Sequence, residues 1–81
     1  MVSERKVRLT YPPHLLRQPL LSGMIRQFDL QTNILEAHVN QEEGWLLLVV
    51  RGEPVQVMQG LQWMSGQGVQ VEVLEEFEVE S

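Results

Sequence analysis

The sequence predicts one α+β domain in the order β-α-β-β-α-β, with a four-stranded antiparallel sheet and two helices on one of its faces. Three observations predict it. The spacing of apolar residues switches back and forth along the chain between a period of two and one of about 3.6. Six consecutive large apolar residues, Trp45 to Val50, mark an innermost strand. The turn-forming residues Pro12-Pro13, Asn40 to Gly44, Gly66 and Gly68 fall between the periodic segments.

Each element follows from its own residues. In RKVRLTY, Val7, Leu9 and Tyr11 fall on one side and Lys6, Arg8 and Thr10 on the other, the alternation of a half-buried strand. Pro12-Pro13 ends it. From Pro19 onward, Leu20, Leu21, Met24, Ile25 and Phe28 recur at helical spacing, and Pro19 suits a first turn where its missing N–H costs nothing. Gly23 lowers the stability of that helix by ~1 kcal/mol relative to alanine, so either a neighbour packs closely there or the helix is weaker.

Residues 32 to 39 and 45 to 51 are extended runs joined by Asn40-Gln-Glu-Glu-Gly44, a polar hairpin loop in which Gly44 is available for a positive φ. After Gly52, Glu53-Pro54 opens a second helix in which Val57, Met58, Leu61 and Met64 share one stripe, stopped by Gly66 and Gly68. Trp63 falls opposite that stripe, among Gln56, Gln59 and Gln62. It is expected to be partly exposed, as a partner anchor or as a ring lying along the helix flank. In VQVEVLEEF, Val69, Val71 and Val73 face one way and Gln70, Glu72 and Leu74 the other.

This order is the ferredoxin-like split arrangement, with strand order 4-1-3-2 and the first strand beside the last. Lys6 and Arg8 then face a strand containing Glu72 and Glu76, and such cross-strand pairs contribute ~0.2 to 1 kcal/mol each. Both helices cover one face of the central strand, so its other face is left for something else. A second copy of the chain is the expected cover; the alternative is that Phe77, Val79 or a loop folds across it.

Composition excludes several functions. The 81 residues make one domain, which buries only ~60% of the surface of its unfolded chain. With 43% hydrophobic and 21% charged residues it is globular, and its longest apolar run is far short of the ~20 residues that cross a bilayer. Met1-Val-Ser-Glu-Arg-Lys is not followed by an apolar segment, so no secretory signal, no direct membrane insertion and a cytoplasmic location are expected. The absence of cysteine excludes disulfides, thiolate zinc, iron–sulfur ligation and thiol catalysis.

Net charge is −5, unevenly distributed: residues 1 to 28 carry five bases against Glu4, and the remainder carries Arg51 against ten acids. The acidic total argues against nucleic acid, and pairing between the two ends is the expected use of the asymmetry. His14 and His38 lack the short spacing of metal ligands. Arg17 has no glycine-rich phosphate nest beside it, and Tyr11 and Trp45 among aliphatics do not make an RNA-stacking platform. No catalytic residue, metal or cofactor is expected.

LTYPPHLLRQPLLSGMIRQFDLQTNILEAHV, GWLLLVVRG and GVQVE together resemble the NIL domain, named for the residues that stand here as Asn33, Ile34 and Leu35. The resemblance covers roughly residues 5 to 74. It implies a NIL-like domain over residues 1–77, leaving 78–81 as an acidic tail. Such domains are known as C-terminal appendages of the ATPase subunit of methionine-import ABC transporters, where they resemble ACT-type regulatory modules and bind methionine to inhibit transport. Others occur beside ferredoxin modules.

The resemblance also implies that Leu46, Leu48 and Val50 point toward the helices and that Trp45, Leu47 and Val49 form the open face. It makes Asn33, Ile34 and Leu35 the candidate ligand-binding residues. The amide of Asn33 is suited either to an amino-acid carboxylate or amine or to a local bond in the turn after Leu30. These readings predict a non-catalytic regulatory or amino-acid-binding module, methionine being the first candidate ligand, that acts as a homodimer or as a detached partner subunit. The alternative is a protein–protein adaptor without a small ligand, using the open sheet face and Trp63.

Overall fold

A computed structural model describes residues 1–79. It contains β1 (Val2–Tyr11), a short 3₁₀ turn (Pro13–Leu15), α1 (Leu20–Gln27), β2 (Gln31–Val39), β3 (Gly44–Gly52), α2 (Pro54–Gly66) and β4 (Gln70–Val79). The strands form one sheet in the order β2-β3-β1-β4, and every pairing is antiparallel. This is the ferredoxin-like arrangement.

Packing follows the alternation of the two central strands. Val7, Leu9 and Tyr11 of β1 stand opposite Leu48, Leu46 and Gly44 of β3. With Val50 they meet Leu20 and Met24 of α1, Val57, Leu61 and Met64 of α2, and Leu30 and Val69 outside the helices, in a single core. Val7, Leu9, Leu48, Val50, Met24, Val57 and Met64 are fully buried. At ~25 cal/mol per Å² of apolar surface removed from water, this row supplies most of the hydrophobic stabilisation.

Helix α2 ends as its glycines predict. Gly68 has φ +104°, Val69 N–H donates to Met64 C=O at 3.2 Å and Gly68 N–H donates to Ser65 C=O at 3.1 Å, the paired bonds of a Schellman stop. Met58, by contrast, does not belong to the buried stripe, being 42% exposed; Gly60 takes the inward position instead. Gly44 corrects another expectation, because the hairpin does not use it for a positive φ. Asn40 makes the turn: its Oδ1 accepts from Glu42 N–H at 2.8 Å and Glu43 N–H at 2.9 Å. At Gly44 the terminal methyl Cδ2 of Leu16 occupies the space that a side chain would need.

Two strands carry one extra residue each. The register of β4 against β1 shifts between Val73 and Glu75, leaving Leu74 as the extra residue; that of β2 against β3 shifts between Ile34 and Glu36, leaving Leu35. Arg8 therefore faces Glu72 as expected, but beyond the shift Lys6 faces Glu75 and Arg5 faces Glu76. The expected pairing of Glu76 with Lys6 or Arg8 is corrected accordingly, and the Arg5–Glu76 pair is 3.9 Å apart. Strand β4 continues through Val79, so Glu78 and Val79, expected in the tail, pair with Ser3 and Val2; residues 80 and 81 lie outside the described residues.

Candidate ligand site and open sheet face

Register decides which side chains share the face turned away from the helices. Glu4, Lys6, Arg8 and Thr10 of β1 align with Arg51, Val49, Leu47 and Trp45 of β3. On the outer side of β3 these meet Gln31, Asn33, Glu36 and His38 of β2. The face predicted as Trp45, Leu47 and Val49 is thus a short apolar row between the largely charged row of β1 and the polar row of β2. All three residues are half-buried. Arg8 lies over the Trp45 ring with its guanidinium carbon 4.6 Å from the centroid, and His38 stacks on the same ring at 5.9 Å. Phe77 stays in β4, on the open side opposite Glu4, and does not fold back across the row.

One end of this face is concave. Glu4, Gln31, Thr32, Asn33, Val49 and Arg51 line a cleft of about 330 Å³. Gln31, Arg51 and Glu4 lie in one line across three strands, and Arg51 Nη1 donates to Glu4 Oε1 at 3.3 Å. Asn33 stands in the next line, opposite Val49. The cleft therefore offers a cation and an anion, paired with each other, and a primary amide within the span of a few residues. It matches the charge pattern of a free amino acid, which carries a carboxylate and an ammonium on one carbon.

The three residues that give the NIL motif are not gathered at one point. Asn33 lines the cleft, Ile34 is on the helix side of the sheet opposite Leu48, and Leu35 is the extra residue of the register shift. Ile34 is 50% exposed and Leu35 46% exposed, both on the edge strand. Glu4 and Arg51, which line the same cleft, do not stand out in the sequence. The available signal was antiparallel pairing of β1 with β3, which makes the oppositely charged Glu4 and Arg51 direct neighbours.

Trp63 is partly exposed as expected, but it does not lie opposite the buried stripe. It is half-buried against the core, tilted against Phe28 with ring centroids 6.2 Å apart. A β-carbon at Gly23 would lie 3.3 Å from Trp63 Cη2, so the glycine in α1 makes room for this ring. The buried stripe runs through Val57, Gly60, Leu61 and Met64 and not through Met58. With Gly60 in its place, Trp63 lies roughly 100° from the centre of the stripe, on the side facing α1.

Tyr11 contributes a different kind of feature. It is 8% exposed, and its hydroxyl is buried without a hydrogen-bond partner. Burial pushes its pKa from 10.0 up to about 12. Because the raised value belongs to the folded state, the unfolded chain loses its proton first as pH rises. The stability held by the neutral phenol is complete below pH ~10 and is lost between pH ~10 and ~12, roughly 2–3 kcal/mol in all. The urea midpoint of the wild type should fall across that window more steeply than that of Tyr11→Phe; parallel pH profiles would contradict this.

Similarity to known proteins agrees with the fold. The NIL domain family model matches residues 5–73. The chain is 33% identical over 72 residues to the methionine import ATP-binding protein MetN of Coxiella burnetii, covering 84% of this chain and 20% of the relative. It is 36% identical over 72 residues to MetN 1 of Paraburkholderia xenovorans, covering 84% of this chain and 21% of the relative. The chain thus spans about a fifth of the length of these curated relatives. Among solved structures, the C-terminal domain of an ABC transporter ATP-binding protein from Enterococcus faecalis superposes with a TM-score of 0.76 at 19% identity, covering 86% of this chain and 82% of that one. With a family match that runs from β1 into β4 and includes Asn33, Ile34 and Leu35, the chain belongs to the NIL domain family.

Proposed function

We propose that this chain is a non-catalytic regulatory module that binds a free amino acid, methionine first among them, in the cleft beside Asn33. The observation that carries this reading is the charge pattern of the cleft. Arg51 is placed to take the ligand carboxylate, Glu4 the ammonium, and Asn33 a further hydrogen bond to either group. Val49 provides an apolar wall for a thioether side chain. That the relatives are methionine import proteins supports methionine as the first candidate.

The module works as a homodimer or as a detached subunit of a cytoplasmic assembly. Its open face suits a two-fold contact. Lys6 and Arg8 of one copy can meet Glu72 and Glu75 of another, with Leu47 and Val49 closing the apolar row between them.

Isothermal titration with L-methionine tests the ligand. A saturable isotherm is expected, and Asn33→Ala should weaken binding about tenfold, the effect of losing one hydrogen bond to a charged group. Arg51→Gln should weaken it at least as much. No heat at millimolar methionine, or equal affinities for wild type and both variants, would refute the cleft as the site and favour an adaptor that uses the open face without a small ligand.

A further inference from the structure

A second cleft lies at the other end of β3, away from Asn33 and Arg51. It is about 380 Å³ in volume, within the ~300–1,000 Å³ range of small-molecule sites, and sits between the residues preceding and opening α1 and the β2–β3 hairpin. Leu16, Leu21, Val39 and Leu46 supply apolar wall and Tyr11 a phenol, while Trp45 borders the cleft from a strand position whose ring lies on the open face. No charged side chain lines it.

The polar groups of this cleft are unequal. Ser22 Oγ already donates to Pro19 C=O at 3.3 Å, and both Ser22 and Gln18 are exposed at the rim. The Tyr11 hydroxyl differs: it is shut off from water with no partner, a condition shared among the described residues only by Arg5 Nε. A buried phenol in that state is unfavourable unless something accepts its proton. Leu16, whose side chain rests over Gly44, lies in the irregular segment between the 3₁₀ turn and α1, outside every strand and helix.

We infer that this cleft is a binding site for a small, uncharged, largely apolar molecule bearing one hydrogen-bond acceptor, such as a carbonyl oxygen, which receives the Tyr11 hydroxyl. The apolar lining excludes a zwitterion, because neither charge would find a counter-charge. The site is therefore independent of the amino-acid cleft and of the reading built on it.

The matched probes acetophenone and ethylbenzene have similar shapes and differ in the acceptor. Titrated into the ¹⁵N-labelled chain, both should move the amide signals of Tyr11, Leu16, Leu21, Ser22 and Gly44 to Leu46. Acetophenone should bind about fivefold tighter, the equivalent of one hydrogen bond at ~1 kcal/mol. Tyr11→Phe, which keeps the ring, should bind the two probes equally, and saturating L-methionine should displace neither. No shifts at the solubility limit, shifts centred elsewhere, equal affinities for wild type, or a ketone preference that survives in Tyr11→Phe would each overturn the inference.

Discussion

Leu48→Ala should lower the stability of the chain by about 3 kcal/mol, the typical cost of removing a fully buried leucine and leaving a cavity. Leu48 is 0% exposed, pairs with Val7 and packs toward both helices. Leu47, its neighbour in sequence, is only half-buried and points to the opposite side of the sheet. Leu47→Ala should therefore cost about 1 kcal/mol or less in the monomer. A domain of this length has roughly 4–12 kcal/mol of total stability, so the first substitution removes a large fraction and the second a small one. Urea unfolding at low protein concentration measures both. Equal losses would mean that the parity of β3 has been assigned wrongly.

Gly60→Val should be nearly as damaging, costing about 2–4 kcal/mol through overpacking of the seam between the helices. A β-carbon at residue 60 would lie 2.7 Å from Leu30 Cδ1, 3.2 Å from Met24 Cγ and 3.5 Å from Phe28 Cδ2. Leu30 has little room to retreat, because its other methyl, Cδ2, lies 2.7 Å from where a β-carbon on Gly52 would sit. Valine adds two branches to a contact already too short. Gly66 is the control in the same helix, with nothing within 4 Å of the point where its β-carbon would sit. Gly66→Ala should stabilise by about 0.5–1 kcal/mol through helix propensity alone. Thermal unfolding of the two variants checks the contrast, and a Gly60→Val protein as stable as wild type would show that α1 and α2 do not meet at this notch.

The order of elements was legible because most changes of apolar period coincide with a proline, a glycine or the Asn40 turn; the change from α1 to β2 is made instead at Asp29, with φ +53°. Core residues such as Val7, Leu9, Met24, Leu61 and Met64 follow from that periodicity. Which side of β3 faces the helices did not follow, because Trp45 to Val50 is apolar at every position and alternation carries no information there. The NIL resemblance supplied it.

The extra residues Leu35 and Leu74 were not legible either. In VLEEF, unbroken alternation would put Glu75 and Phe77 on the helix side with Val73; the shift at Leu74 instead brings both to the open side, where Glu75 meets Lys6. A buried-side glutamate in the simple pattern was the available sign. For the candidate site, Asn33 was visible only through the family motif. Glu4 and Arg51, forty-seven residues apart in sequence, become neighbours only through strand pairing.

The most direct measurement is methyl NMR of the four residues Leu47, Leu48, Val49 and Val50 at low and high protein concentration, with a soluble paramagnetic probe. Association through the open face predicts that Leu47 and Val49 methyls are bleached in dilute protein and become protected as concentration rises. Leu48 and Val50 should be protected throughout. Leu47 and Val49 methyls equally bleached up to millimolar protein, or protection appearing instead on α1 and α2, would contradict a sheet shielded on one flank by its own helices and on the other by a second copy.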